Sequence, residues 1–262
     1  MFHPIIRITA ITMLILLLAG CSAINGVSPV PDRTAETAPS SLLKKVKETE
    51  RFIFYYSPQD EKVIPDIEKT LDAKCPAICE LLSYQYPDKI KVEAYADQKN
   101  YDESLADKSV AGSPACSGNG VIKLVSPTSP IKVTGIPYDE RLMMAVHEYV
   151  HLMVGKISPG APMWMNEGLA SYMGSSDGYE TICKYAFPKI PEVSFSEIET
   201  DYYDMPAPDV YSCTAVRCII EKYGQERFCE LLRNPEDFEK ILQTTKDEFS
   251  RQWNEYIRAH FG

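Results

Sequence analysis

Apolar positions in the first half of the chain follow the patterns of β-strands. Residues 51–56 are aromatic and β-branched, residues 89–96 alternate between apolar and polar side chains, and residues 120–125 form a short apolar run. Each of these patterns predicts a strand. Residues 60–86 instead carry apolar side chains at helical spacing, which predicts a helix that Pro76 is able to kink. The first half therefore combines sheet and helix.

The second half of the chain has the patterns of helices. Residues 142–146 and 152–154 are apolar nearly all round, which predicts a helix buried in the middle of a domain. Asp139 could cap its start, and Gly155 suits its C-terminal end. Four more helices are predicted towards the C-terminus, at about 210–223, 225–232, 235–242 and 246–259. The whole pattern favours an α+β fold with a mixed sheet-and-helix N-terminal half, a central helix and a helical C-terminal half.

Residues 174–208 show no clear periodicity and contain several tyrosines and prolines. An irregular segment of this length is more often functional than idle. It could shape pockets beside a cleft or act as a lid, and a purely structural cover is an equally open interpretation.

The N-terminal residues have the composition of an export signal. Residues 1–20 carry Arg7 and then an apolar run too short to span a bilayer, and Leu-Ala-Gly precedes Cys21. This ending resembles the lipobox of bacterial lipoproteins, which implies cleavage before Cys21 and a lipid anchor on it; an ordinary secreted protein is the alternative. Residues 21–41 predict a flexible tether, and residues 42–262 fit one domain. We therefore expect a protein held on the extracytoplasmic side of a bacterial membrane.

Acidic residues outnumber basic residues by 37 to 27, which gives a net charge of −10. This charge argues against nucleic acid as a partner and is typical of a soluble surface. Of the eight cysteines, seven remain when Cys21 is set aside, so at least one stays unpaired within the chain. Cys218 and Cys229 could join neighbouring helices, whereas Cys75 and Cys79 lack a second pair at metal-ligand spacing.

The sequence His-Glu-Tyr-Val-His lies within the predicted central helix. His147 and His151 are four residues apart, so both imidazoles project from one helix face and could bind one tetrahedral Zn²⁺. Glu148 is placed to accept a proton from a metal-bound water. A carboxylate from a second helix would complete a catalytic site with three protein ligands, and Glu167 is the candidate. The alternative is a buried helix whose histidines only hydrogen-bond to their surroundings.

The motif HEYVH with the downstream sequence WMNEGLASY resembles the gluzincin zinc metallopeptidases, especially the peptidase MA-like domains related to thermolysin and the zinc aminopeptidases. The resemblance is strong over about residues 138–174 and lacks sharp motifs elsewhere. It implies a thermolysin-like fold and a zinc ion held by His147, His151 and Glu167. It also implies that Glu148 is the general base.

Three features depart from these families. The gap of fifteen residues between His151 and Glu167 is shorter than in the zinc aminopeptidases, and their Gly-x-Met-Glu-Asn motif is absent from the chain. Thermolysin-like enzymes place an aspartate four residues after the glutamate ligand, where this chain has Ser171. Their edge strand upstream of the metal helix binds extended substrate, which nominates residues 120–125; a structural strand is equally open.

A zinc peptidase also needs a donor for the oxyanion that develops on the scissile carbonyl. The chain has four histidines, and only His260 remains outside the motif in the mature chain. A tyrosine is therefore favoured, and related families carry one on a helix downstream of the glutamate ligand. Tyr211 is the first candidate and Tyr172 the second, although Tyr211 could equally serve only in packing. The scarcity of histidine also argues against Ser-His-Asp and Cys-His enzymes.

These patterns together favour a membrane-anchored zinc-dependent peptidase that hydrolyses peptide or protein substrates. Zn²⁺ would be bound by His147, His151 and Glu167, and Glu148 would activate the water. The alternative is a non-catalytic, zinc-containing binding lipoprotein, for which Ser171 in place of an orienting carboxylate is the motivation.

Overall fold

The computed structural model describes residues 41–130 and 136–262. The predicted signal peptide, Cys21 and nearly all of the predicted tether lie outside the described residues. Within the described ranges, no helix is both long enough and apolar enough to cross a membrane. Five strands and ten α-helices are found in these ranges, with the strands in the first half of the chain. The α+β class predicted from the sequence is confirmed.

A five-stranded mixed sheet forms in the order β1-β2-β3-β5-β4, with the three inner strands parallel and both edge strands antiparallel. Its strands are β1 (Lys45–Glu48), β2 (Phe52–Tyr56), β3 (Ile90–Tyr95), β4 (Ala115–Gly118) and β5 (Val121–Val125). The three strands predicted from apolar patterns are the inner three. Polar β1 and the small residues of β4 have no such pattern, so both were missed.

The expectation that residues 120–125 form a substrate-binding edge strand is wrong, because β4 pairs with β5 on its outer side. All five residues of β5 are buried. Lys123 is buried with them, and its ammonium lies 3.6 Å from the carboxylate of Glu93 on the neighbouring β3. The edge of the sheet on this side is β4.

Helices pack on both faces of the sheet and continue to the C-terminus. They are α1 (Ile64–Leu82), α2 (Gln98–Ser104), α3 (Tyr138–Ile157), α4 (Met163–Met173), α5 (Glu180–Ala186), α6 (Phe195–Thr200), α7 (Pro208–Tyr223), α8 (Gln225–Arg233), α9 (Phe238–Leu242) and α10 (Lys246–Phe261). Pro76 lies on the exposed side of α1, which continues past it. The four predicted C-terminal helices are found in α7 to α10, with ends shifted by up to about three residues.

The central helix α3 packs against α1, α4 and β4. Its predicted ends are wrong: Pro137 precedes the first turn, and Gly155 lies inside the helix, which ends at Ile157. A glycine inside a helix costs about 1 kcal/mol relative to alanine. Buried apolar contacts along α3 outweigh that cost, so Gly155 does not stop the helix.

The segment at 174–208 is not irregular throughout, because it contains α5 and α6. A capping box begins α6: the Ser194 hydroxyl accepts from the Glu197 amide, and the Glu197 carboxylate accepts from the Ser194 amide. Helices of seven and six residues are too short for apolar periodicity to be visible in the sequence.

Candidate metal centre

Two packed helices bring a pair of imidazoles and a carboxylate together. His147 and His151 lie one turn apart on α3, and their Nε2 atoms are 3.0 Å apart. Glu167 on α4 places its Oε2 atom 3.4 Å from both of these nitrogens. The three atoms predicted from the sequence to bind one ion therefore converge.

Glycines allow α4 to approach its neighbours closely enough for this convergence. A Cβ atom on Gly168 would lie 2.5 Å from the carbonyl oxygen of Ser212 on α7. A Cβ atom on Gly174, just after α4, would lie 2.7 Å from the Cα and Cβ atoms of His147. Real Cβ contacts do not reach these distances, so larger residues at either position would force the helices apart.

The convergent groups are buried, and one of their atoms has no hydrogen-bond donor. Glu167 is 2% exposed, and among the described residues its Oε2 atom has no hydrogen bond. Burial alone would lower the pKa of His151, but the Glu167 carboxylate outweighs burial and raises this pKa to about 9. Burial opposes ionisation of Glu167, whereas His151 and His147 hold its pKa well below the usual range. The site thus favours an anion facing a cation.

The geometry fits a tetrahedral zinc ion. Bonds of about 2.0–2.1 Å to tetrahedral zinc separate the ligand atoms by roughly 3.3–3.4 Å. The three distances here are 3.0, 3.4 and 3.4 Å. His151 Nδ1 lies 3.0 Å from the side-chain oxygen of Asn166. Donation from Nδ1 to this oxygen would leave Nε2 to bind a metal ion once Nε2 has lost its proton.

Glu148 offers a second combination of ligands. His147, Glu148 and His151 each present one ligand atom, and these atoms lie within 4.8 Å of one another. The Ser117 hydroxyl on β4, however, donates a hydrogen bond of 2.7 Å to Glu148 Oε2. We favour Glu167 as the third ligand, because its inward oxygen has no donor and Glu148 is already engaged by the strand.

The contacts that the structure gives for the two candidate tyrosines are with residues outside the motif. Tyr211 is fully buried, its ring packs against Phe187 and Trp253, and its hydroxyl donates to the main-chain carbonyl of Pro191. Tyr172 lies against Gly178. The hydroxyl of Tyr211 is therefore held by packing and by a main-chain acceptor, as the structural interpretation of this residue expects.

The sequence analysis missed a carboxyl group beside the site. Asp209, in the first turn of α7, is 3% exposed and accepts a hydrogen bond of 2.6 Å from the Tyr202 hydroxyl. Burial, with a further contribution from the charge of Glu167, raises the pKa of Asp209 to about 8. No local motif marks Asp209, because only the packing of α7 against α4 places it near the ligands.

A cleft of about 200 Å³ opens beside the histidine pair. We call it the α3 cleft, because it lies between the C-terminal turns of α3 and the end of β4. Its walls include Tyr86, Ser117, Asn119, His151, Lys156 and Asn166. The cleft therefore connects the outside of the protein with the side of the candidate metal centre that carries His151.

Comparisons with known proteins give distant similarities to solved structures, with 11 matching chains. No protein-family model matches the chain, and no curated protein does. The crystal structure of an M1 zinc metallopeptidase from Deinococcus radiodurans is similar over 82% of this chain and 50% of that chain, with a TM-score of 0.40 and 13% identity. This chain thus spans about half the length of that protein. The candidate metal centre is therefore assigned from the distances between the side chains of this chain.

Proposed function

We propose that the protein is a zinc-dependent peptidase whose ion is bound by His147, His151 and Glu167. The observation that carries the proposal is the buried Glu167 oxygen, which has no hydrogen-bond donor among the described residues and lies 3.4 Å from both imidazole nitrogens. A buried carboxylate oxygen that meets two imidazole nitrogens without a well-formed hydrogen bond suits a bound cation. Glu148, next in sequence to the first ligand, distinguishes this site from a purely structural one.

The side chains around the centre have separable roles in this proposal. A bound zinc ion would supply a Lewis acid and lower the pKa of its water. Glu148 would act as the general base, taking a proton at its carboxylate and passing it to the leaving amine. Ser117 orients Glu148 through its hydrogen bond, and Asn166 fixes the tautomer and ring plane of His151.

The edge strand β4 supports a peptide as substrate. It is the outermost strand of the sheet on the side of α3, and Ser117 and Gly118 at its end line the α3 cleft. A peptide in the cleft would therefore pass beside the end of β4 and next to the candidate centre.

Anchoring through a lipid on Cys21 is a further part of the proposal, supported by the sequence Leu-Ala-Gly-Cys after an apolar run. We expect Cys21→Ser to release the protein from the membrane fraction of the cells that produce it. A Ser41→Ala variant is the control and is expected to stay with the membrane. Equal membrane association of the Cys21→Ser variant and the wild type would contradict the anchor.

The experiment that tests the peptidase uses substitutions that separate metal binding from proton transfer. Glu148→Gln is expected to keep one zinc per chain and to lower peptide turnover by at least about a hundredfold, as loss of a general base does. Glu167→Ala is expected to lose zinc. Glu255→Gln changes an exposed glutamate of α10 and is the matched control. Equal turnover by Glu148→Gln and wild type would overturn the mechanism.

A non-catalytic zinc-binding role is the second candidate. The observation in its favour is Ser171, whose buried hydroxyl has no hydrogen bond among the described residues and stands where an orienting carboxylate is expected. This role makes no demand on Glu148. Full zinc occupancy together with no cleavage of any member of a diverse peptide library would favour it over the peptidase.

A further inference from the structure

The α3 cleft has the size and position of a pocket for one substrate side chain. Its volume of about 200 Å³ is below the 300–1,000 Å³ that is usual for drug-sized ligands. His151 and Lys156, both on its wall, are five residues apart on one helix, which is about 7.5 Å along the axis. A group bound at Lys156 would therefore belong to a residue within one or two positions of the reacting bond.

Lys156 is held at the cleft by an aromatic ring. Its ammonium nitrogen lies 5.6 Å from the centroid of the Tyr86 ring, and both residues line the cleft. This distance is within the range of a cation–π interaction, which restricts the otherwise flexible lysine side chain. A positioned cation loses less conformational entropy on binding an anion than a free one does.

The electrostatic character of the cleft follows from its composition. Among the described residues that line it, Lys156 carries the only permanent charge, and no aspartate or glutamate is present. No described carboxylate forms an ion pair with Lys156. The remaining polar walls, Ser117, Asn119 and Asn166, supply neutral hydrogen-bonding groups. In a chain of net charge −10, this local cation favours an anionic group that the surface as a whole repels.

We infer that the α3 cleft binds a substrate carboxylate at Lys156, so that the enzyme selects a carboxylate-bearing residue beside the scissile bond. The inference rests on the proposed peptidase function and adds its substrate class. Two sources supply this chemistry: the side chain of an aspartate or glutamate, and the free C-terminal carboxylate of a short peptide. A charge-assisted hydrogen bond to the ammonium and contacts with the neutral amides would hold either one.

The structure offers a matched control for Lys156. Lys222 is also a cation in the last turn of a helix, and its nitrogen lies 5.8 Å from the Tyr223 ring centroid. It does not line the α3 cleft. A lysine that serves only solubility or the helix dipole would behave alike at both positions.

The test compares isosteric peptides that differ in one charge. One series has blocked termini and carries either glutamate or glutamine at each of the two positions on either side of the cleaved bond. A parallel series compares a free with an amidated C-terminus. The value of kcat/KM is measured for each peptide, and the value for the acidic peptide is divided by that for the neutral one. This ratio is compared among the wild type, Lys156→Gln, Lys156→Glu and Lys222→Gln. The same peptides are titrated onto the zinc-loaded Glu148→Gln protein, with and without Lys156→Gln, to measure affinity without turnover.

We expect the acidic-to-neutral ratio to exceed about ten in the wild type and to fall at least tenfold in Lys156→Gln. It should fall further in Lys156→Glu and stay at the wild-type value in Lys222→Gln. The blocked and free series identify the source of the carboxylate. A ratio that Lys156→Gln leaves unchanged, in cleavage and in binding, overturns the inference. If no peptide is cleaved but the binding ratio depends on Lys156, the peptidase fails and the carboxylate site stands.

A steric test needs no charge change. A Cβ atom on Gly155 meets no atom within 4 Å, and Gly155 lines the cleft; Gly160 is equally open but lies outside it. Gly155→Phe is expected to raise KM for acidic peptides at least tenfold by filling the cleft, whereas Gly160→Phe is not. Equal KM values for these two variants would show that the cleft does not receive the substrate.

Discussion

At the scale of single residues, the candidate centre contains two buried carboxyl groups, and the surroundings of each favour a different ionisation state. Glu167 faces two imidazoles at 3.4 Å, and the neighbouring carboxyl of Asp209 is buried and accepts a hydrogen bond from the Tyr202 hydroxyl. The first carboxyl is held ionised and the second is held protonated in the absence of metal. Because the surroundings shift the pKa values of these two carboxyl groups in opposite directions, each group can be tested separately.

Asn166 tests the orientation of the ligand His151. Replacing it with alanine removes the acceptor for His151 Nδ1, which lies 3.0 Å away. Loss of a hydrogen-bond partner of a metal-binding histidine weakens metal binding by about 10–100-fold. We expect Asn166→Ala to weaken zinc affinity by that factor in a competition titration with a chromophoric chelator. The exposed Asn234→Ala is the control, and equal affinities of the two variants would contradict the role of Asn166.

Asp209 gives a pH dependence that can be measured on the metal-free protein. Its pKa is raised from 3.8 to about 8, so the folded state holds a proton that the unfolded state has released. Its contribution to the free energy of unfolding is therefore full below pH 3.8 and is lost as pH rises towards about 8. Asp209→Asn keeps an acceptor for Tyr202 and carries no such proton.

The free energy of unfolding is measured with urea on the chelator-treated proteins. We expect the value for Asp209→Asn to rise relative to that of the wild type between pH 5 and pH 7. The limiting difference in slope for one proton is about 1.4 kcal/mol per pH unit. Stability curves of the two proteins that run parallel over this range would show that Asp209 is ionised in both states.

At the scale of elements, the approach of α4 to α7 positions Glu167. Gly168 follows the ligand directly and faces the main chain of α7 at Ser212. The sheet makes a comparable contribution from the other side, because its edge strand β4 carries the Ser117 hydroxyl to Glu148. Glu148 and Glu167 thus depend on two different packing interfaces, that of β4 with α3 and that of α4 with α7.

Gly168→Ala tests the first interface. The added Cβ atom would lie 2.5 Å from a backbone oxygen that cannot rotate away, so α4 must shift. We expect this shift to lower the free energy of unfolding by roughly 1–3 kcal/mol, offset by about 1 kcal/mol because alanine has the higher helix propensity. Zinc binding is expected to weaken as well.

Gly155→Ala is the matched control for this prediction, because Gly155 is also helical and its Cβ atom would meet nothing within 4 Å. It is expected to stabilise the protein by up to about 1 kcal/mol. Comparable stabilisation by Gly168→Ala, measured by chemical denaturation, would mean that the two helices are not in close contact at this point.

At the scale of the whole molecule, the metal would link the two halves of the chain. β4 contacts α3 from the sheet-containing half, and α4 packs on the C-terminal α7. Without a metal these buried groups form an ion pair, and the cost of removing its charges from water offsets much of the attraction between them. Zinc is therefore expected to stabilise the fold as well as to supply chemistry.

Metal removal gives the corresponding prediction. At a free zinc concentration 1,000 times the dissociation constant, binding stabilises the folded state by about 4 kcal/mol, which is roughly 10 °C in Tm for a domain of this size. We expect a chelator to lower Tm by that order and zinc to restore it. Glu167→Ala should show neither change; a wild-type Tm that is indifferent to chelator and zinc would exclude the proposed centre.

The sequence alone was enough for those features that depend on local periodicity. The spacing of His147 and His151 places both rings on one helix face, and the apolar runs identify the three inner strands. The α+β class and the four C-terminal helices follow from the same periodicity. Helix ends were less predictable, as Gly155 shows, because buried contacts outweigh the preference of one residue.

The tertiary structure decided what depends on contacts between distant segments. The short strand β4, which has no apolar pattern, is the edge strand, and Asn166 lies within hydrogen-bond distance of His151. Asp209 lies close enough to Glu167 for their charges to interact, and the Lys156 ammonium lies over the Tyr86 ring at the α3 cleft. Tyr211 is turned to a main-chain carbonyl by the packing of its ring. Such contacts join residues far apart in the chain, and their geometry is set by how helices and sheet pack, which no local pattern encodes.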